Sequence, residues 1–295
     1  MKKRIGIDIG GTAIKAALVE EGRVIDFKRE ETPADGETGI MLMKKMVEAW
    51  LEVTEEIVGA AAPGPLDTKS GVFHDPPNLP GWHGFALRDR LSEVLGRACL
   101  VENDANAAAA GEFTAGAGKG YGSIVYITIS TGVGAGIIVG NALLSGAQSI
   151  AGEVGNLIIA DQGPYQEGMN SGSWESLASG TALGKAAEEK GIHGGAEKLF
   201  TLLKEGDRDA ERIFEIWLDY TARGIANVIH TINPEAVILG GGVMNEADFI
   251  IPRLMPVVRE KVYASLREQV VILPALLGAH VGVVGAAGLG SLSRI

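Results

Sequence analysis

"RIGIDIGGTAIKAALV" (Arg4–Val19) and "SIVYITISTGVGAGIIVG" (Ser123–Gly140) decide the fold. Each reads as a β-rich run, a polar residue, a glycine turn and a second β-rich run. One architectural unit therefore occurs twice, once near the start and once near the middle of the chain. Outward from the first copy, "RVIDFKRE" (23–30) adds a third strand. "GIMLMKKMVEAWLEV" (39–53) places Leu42, Met46, Ala49, Trp50 and Val53 at helical spacing, which predicts an amphipathic helix with its methionines in the core. "EIVGAAAPGPLD" (56–67) is a short buried strand and a Gly/Pro turn, and "FALRDRLSEVLG" (85–96) a helix that stops at glycine.

The second copy is followed by the same kinds of element. "DAERIFEIWLDYTARGIANVIHTI" (209–232) is a long helix. "EAVILGGGVMN" (235–245) runs from strand into glycines and then a helix, and "QVVILPALLG" (269–278) leads into a last helix, "VGVVGAAGLGSLS" (281–293). Strands alternating with helices define an α/β class. A boundary is expected near Gly118, giving a smaller domain over 1–118, a larger one over 119–283, and a last helix from about 284 that packs back on the first.

Composition narrows the partners. The chain has 295 residues, a net charge of -11 and one cysteine, Cys99. Nucleic acid and anionic membranes both select clustered Lys and Arg, so neither is an expected partner. A single thiol excludes an intrachain disulfide and a multi-thiolate zinc site. The basic start leads into an apolar run that Asp8 and Lys15 interrupt, unlike a signal peptide, and no uncharged run reaches membrane-spanning length. A cytoplasmic protein is expected.

Three glycine clusters follow strands: Gly10-Gly11, Gly132-Val133-Gly134-Ala135-Gly136 and Gly240-Gly241-Gly242. Any one alone is best read as a chain reversal. Three together, two with an adjacent threonine (Thr12, Thr131), favour backbone N–H groups converging on phosphate. No P-loop pattern is present. Asp8 precedes the first cluster and would repel a phosphate unless Mg²⁺ lay between them.

"ACLVENDANAAAAGE" (98–112) crowds Glu102, Asn103, Asp104 and Asn106 onto one strand-to-helix junction. Helix capping accounts for one of the four. With "DIGGTAIK", "PGPLD", "PNLPGW", "ENDANAAA", "STGVGAG", "AGEVGN", "WESLASGTAL" and "ILGGGVMN" in this order, the whole chain resembles the ROK family of bacterial sugar kinases, glucokinases especially. The resemblance implies a duplicated actin-like (ribonuclease H-like) ATPase fold, with sugar and nucleotide in an interdomain cleft.

It also assigns roles. Asp104 matches the family's base for the sugar's primary hydroxyl, and Asn103 a residue that holds sugar hydroxyls. Glu102 and Asn106 are left to support that pair. Glu153 and Glu175 match hydroxyl acceptors, while Gly64 and Asn78 lie where loops approach the sugar. ATP is expected on Gly10, Gly11, Thr12, Thr131, Gly132, Gly134, Gly241 and Gly242, with Mg²⁺ expected near Asp8 and held through water. Trp82 and Trp174 are expected to be packing residues. A homodimer is expected on the resemblance alone.

The chain departs from the family's zinc-containing members. Their zinc histidine is replaced by Asn156, and "DQGPYQEGMNSGSWE" (161–175) lacks their cysteines. The five histidines, His74, His83, His193, His230 and His280, are scattered, so no zinc is expected. Asn156 is a candidate sugar contact, weighed against a plain turn residue. Ala13 stands where many members carry lysine. The expected reaction is ATP-dependent phosphorylation of a hexose 6-hydroxyl, glucose first, with fructose, mannose or N-acetylmannosamine as alternatives and polyphosphate as another donor. Family repressors carry an N-terminal DNA-binding segment, for which the first strand, starting at Arg4, leaves no expected room. A non-catalytic sugar sensor is disfavoured by Asp8, Asp104 and the glycine turns.

Overall fold

A computed structural model describes residues 2–55 and 57–295; Met1, in the basic start, and Glu56, at the start of the strand predicted in 56–67, lie outside the described residues. Strand β1 (Lys3–Ile9) pairs antiparallel with β2 (Ala13–Glu20), and β2 with β3 (Arg23–Glu31). β3 is charged and mostly exposed, as an edge strand tolerates. α1 (Gly36–Val47) then leads to β4 (Ile57–Ala62), which lies parallel to β1. A small ribbon of β5 (Leu66–Asp67) and β6 (Val72–Phe73) precedes α2 (Leu87–Leu95), which Gly96 ends in the left-handed conformation. β7 (Ala98–Asn103) joins parallel to β4 and feeds directly into α3 (Asp104–Ala115). The sheet order is β3-β2-β1-β4-β7.

Pleating splits β1 between two faces. Ile5, Ile7 and Ile9 enter a core with Ile40, Met43, Met46, Trp50, Leu87 and Leu91. The stripe on α1 therefore differs from the predicted one: Ile40 and Met43 lead it, Leu42 is only partly buried, and Val53 is exposed. Val53 leaves the stripe because Glu48–Val53 continues as a 3₁₀ turn with a different residue spacing.

The second half runs β8 (Ser123–Ile129), β9 (Val133–Val139), β10 (Ala142–Leu143), α4 (Trp174–Ala178), α5 (Gly180–Glu189), α6 (Gly195–Glu205), α7 (Arg208–Ile232), β11 (Ala236–Gly240), α8 (Ala247–Lys261) and β12 (Ile272–Pro274). α9 (Val281–Gly288) and β13 (Ser293–Arg294) follow. The second sheet has the order β12-β11-β8-β9-β10-β13. Counted from β10, its first five strands repeat the order of the first sheet, as the two glycine hairpins predict. The predicted last helix is shorter than its apolar run: it stops at Gly288, and the chain ends as a strand.

The chain divides into two compact units. One comprises 1–124, 136–151 and 275–295, the other 125–135 and 152–274. The sequence expectation was a smaller domain over 1–118 with the last helix from about 284 packed back on it, and a larger one over 119–283; here the first unit takes in 275–295 and also 136–151, and is the larger. The first sheet is covered by that distant helix.

That helix is α9, and it packs backbone to backbone on the first sheet and on α3. A Cβ added at Gly59 would lie 1.8 Å from Ala286 O, and one at Gly285 would lie 1.8 Å from Ala107 O. Neither neighbour is a side chain that can rotate away. Gly59→Ala is expected to destabilise the first unit by about 1–3 kcal/mol or more, the usual range for overpacking. Urea unfolding followed by Trp50 and Trp82 fluorescence checks this, and an unchanged midpoint would mean that α9 lifts away easily.

Candidate active site

In the first unit the carboxyl ends of three adjacent parallel strands carry the polar residues singled out above. Registers Asp8↔Ala61 and Ala62↔Asn103 set Asp8, the Gly64 turn and Asn103-Asp104 along one sheet edge. Ligands of open α/β sheets bind outside such edges. Asp8 lies on the face that receives α9, where a Cβ on Gly282 would be 2.7 Å from its carboxylate. The Lys15 ammonium donates to Asp8 Oδ2 at 3.0 Å, from directly across the hairpin. Gly11 needs its missing side chain for close approach, since a Cβ there would meet Asn78 O at 2.8 Å. The hairpin turn and the Asn78 loop are therefore in contact. Gly10 O accepts from the Thr32 hydroxyl at 2.6 Å, which fixes the same turn. Thr12 is exposed beside it.

At the β7–α3 junction each of the four polar residues has a separate task. Asn103 caps α3, its Oδ1 accepting from Ala105 N at 2.9 Å. Asp104 Oδ1 also accepts from Ala105 N, at 2.8 Å, which turns the carboxylate toward the helix start while the residue stays exposed. Glu102 is fully buried and accepts from Asn103 N and from Asn106 Nδ2, both at 3.0 Å. Gly64 stands next to the Asn103 amide, with 3.7 Å between its ideal Cβ and Nδ2. So Asp8, Gly10, Gly11, Gly64, Asn78, Asn103 and Asp104 share one edge of one unit.

The second unit gathers another set. Glu175 Oε2 accepts from Val133 N at 2.9 Å, and Gln166 donates to Oε1 at 2.5 Å. Gly132 and Gly155 both crowd that carboxylate, so the second glycine turn is built around Glu175. The pKa of Glu153 is raised by the surrounding protein first and by the charge of Glu175 second. Glu153 nonetheless keeps solvent contact. Asn156 Oδ1 accepts from Asn170 N at 2.7 Å, so its oxygen holds the following loop. Gly134 lies on β9, just beyond the turn. Trp82 and Trp174 are fully buried and pack.

A raised carboxyl pKa has a defined sign. The folded state holds the proton more tightly than the unfolded chain, so stability falls as pH rises from the ordinary value of 4.5 through the raised one. Glu153→Gln should remove that slope. Its melting temperature should gain on the parent's at pH 7 and lose the gain at pH 4. Parallel curves for the two proteins would mean that Glu153 feels neither burial nor Glu175.

The second unit also holds a cavity of about 700 Å³ lined by Ser130, Thr131, Gly180, Thr181, Lys185 and Gly242 among others. Backbone contacts build it: Gly180 N donates to Ser130 O at 2.7 Å, and Gly241, at φ 92°, lies against Ile129. Of the predicted phosphate residues, Thr131 and Gly242 line it and Gly241 supports it from below. Gly180, Thr181 and Lys185 line it as well and are not among the residues that the sequence singles out. The sequence signal was "SGTALGK" (179–185), a serine cap and a glycine opening a helix; Ser179 Oγ does accept from Ala182 N.

Two sheets of one order, with polar residues on strand ends, define an actin-like α/β fold of the sugar-kinase type. The sequence matches the ROK family over residues 4–291, and the chain belongs to that family. A glucokinase of Thermotoga maritima is 32% identical, over 97% of this chain and 96% of its own. The crystal structure of a ROK hexokinase from Thermus thermophilus superposes with a TM-score of 0.88 at 35% identity, covering 97% of this chain and 96% of the other. That of a ROK-family glucokinase from Streptomyces griseus, in complex with glucose and AMPPNP, does so at 0.79 and 31%, covering 97% and 98%.

Proposed function

We propose that this ROK protein is an ATP-dependent sugar kinase that phosphorylates the 6-hydroxyl of a hexose, glucose first. The observation that carries this is the β7–α3 junction. It offers an exposed carboxylate at a helix start, oriented by a backbone N–H, with an amide beside it and a buried carboxylate beneath. Phosphoryl transfer asks the protein mainly for alignment and charge stabilisation. Asp104 receives the hydroxyl proton as the oxygen attacks the γ-phosphorus. Asn103 and the Gly64 turn orient the sugar. Glu153 and Glu175 accept from its other hydroxyls, for which a carboxylate keeps lone pairs beyond those already used.

A cavity of about 700 Å³ with backbone walls and Lys185 suits a nucleotide. A single carboxylate, Asp8, suits a hard cation held otherwise by phosphate and water. Mg²⁺ when bound neutralises charge on the transferred phosphoryl. Lys15 holds the Asp8 carboxylate in place meanwhile.

No helix is long and apolar enough to cross a membrane among the described residues. The reading includes no zinc, because Asn156 and a cysteine-free 161–173 loop offer the wrong donors. Elemental analysis should find no stoichiometric zinc, and one tightly held zinc per chain would contradict it. The main test is ADP release across glucose, fructose, mannose and N-acetylmannosamine, with ATP, GTP and polyphosphate as donors. Glucose with ATP is expected to give the highest kcat/KM. No turnover with any pair would overturn the kinase reading.

A further inference from the structure

The C-terminal residues are tied to the same junction from the opposite side. β13 (Ser293–Arg294) lies parallel to β10 (Ala142–Leu143). Ile295 N donates to Leu143 O at 2.9 Å, and Ile295 O accepts from Ser145 N at 2.8 Å. β10 in turn pairs with the end of β9, at Val139 and Ile138. At Gly136, β9 presses onto the first turn of α3: a Cβ there would lie 2.6 Å from Ala105 O and 2.9 Å from Asn106 Cα. The last residues of the chain thus sit on a strand ledge that abuts the start of α3.

From that ledge Arg294 reaches Glu102. Its Nη2 lies 3.7 Å from Glu102 Oε2. Glu102 is fully buried, and Oε2 has no hydrogen-bond partner among the described residues. Oε1 is committed to Asn103 N and Asn106 Nδ2. The carboxylate therefore has one half that fixes the backbone just before Asp104 and one half that, without a hydrogen bond among the described residues, is paired with the guanidinium of Arg294. A buried carboxylate that loses its countercharge turns toward other donors or toward water. Either movement would take Oε1 away from Asn103 and loosen the turn.

We propose that Arg294 is a positioning residue for the phosphoryl-transfer site, acting through Glu102 to hold Asn103 and Asp104 in register. The proposal rests on the kinase reading for its rate effect but not for its structural effect. Displacing a reacting group by a fraction of its bond-making distance slows turnover by orders of magnitude. Asn103 moves with the turn, so the KM for hexose rises, while the other sugar contacts and the nucleotide contacts are left alone, so kcat falls more than KM rises.

The test combines amide hydrogen exchange with kinetics on Arg294→Ala, Arg294→Lys, Glu102→Gln and the Arg294→Ala/Glu102→Gln double variant. Arg294→Ala should speed exchange at the Asn103 amide and lower kcat about 10- to 100-fold, with the KM for ATP little changed and the KM for hexose raised by a smaller factor than kcat falls. Arg294→Lys, which keeps the charge, should recover part of both. In the Glu102→Gln background the loss of Arg294 should add little, because the two act on one path. A purely structural strand would instead speed exchange at Ser145 and Gly146 and leave Asn103 as in the parent, which overturns the proposal. Equal, additive losses in both backgrounds also overturn it. If the parent turns over no sugar, the kinase reading falls, and exchange at Asn103 still decides whether Arg294 holds this turn.

Discussion

Asp104→Asn is expected to lower kcat by about 10²- to 10⁴-fold, the usual contribution of a general base. The replacement is isosteric and its amide oxygen can still accept from Ala105 N, as Asp104 Oδ1 does at 2.8 Å. The α3 start therefore survives, and so should the circular dichroism spectrum and the melting temperature. An amide cannot take up the hydroxyl proton. The loss should appear in kcat with hexose KM little altered, because Asn103 and the Gly64 turn still hold the sugar. A variant that retains more than about a tenth of parental kcat would remove Asp104 from the proton path.

Glu112→Ala should be the most destabilising change at a position outside the site. Glu112 is fully buried near the end of α3. Its carboxylate accepts from Ala117 N at 2.7 Å, from Leu276 N at 3.0 and 3.1 Å and from Leu277 N at 2.9 Å. It closes α3 and anchors the segment leading into α9. Truncation removes a charged acceptor shared by three part-buried backbone N–H groups, and a hydrogen bond to a charged group is worth about 1.5–3 kcal/mol. A loss of about 3–6 kcal/mol is expected, a large share of an ordinary domain's stability. Glu112→Gln keeps one acceptor oxygen and should fall between. Urea unfolding gives the numbers, and a loss below about 1 kcal/mol would mean that water replaces the carboxylate at no cost.

The elements that the sequence discloses are those governed by local rules. The two glycine hairpins, the strand-to-helix junction at Asn103-Asp104 and the stop of α2 at Gly96 each depend on neighbouring residues, and each appears where expected. Positions set by distant backbone do not show in the pattern. Gly59 and Gly285 look like ordinary small residues until α9 lies against them. Glu112 reads as a helix glutamate, and Arg294 as a surface cation. Val53 drops out of the predicted stripe because the pitch changes after Val47, which composition does not announce. Within the site, the motif order pointed to Glu175 as a sugar ligand but not to its grip on Val133 N, since that bond joins residues far apart in the chain.

The seating of α9 on Gly59 and Ala107 also sets a timetable for biosynthesis. All five strands of the first sheet leave the ribosome well before the helix that covers one of their faces, and chain emerges at about 5–20 residues per second. The contacts are long-range, so their closure is slow and late. During that interval the uncovered face, with Val19 and Ala61, is available to holding chaperones. Ribosome-arrested chains ending near residue 270 should be cleaved rapidly in this region by added protease. Chains extended by a linker so that residue 295 has emerged should resist. Equal resistance at both lengths would show that the sheet consolidates without its final helix.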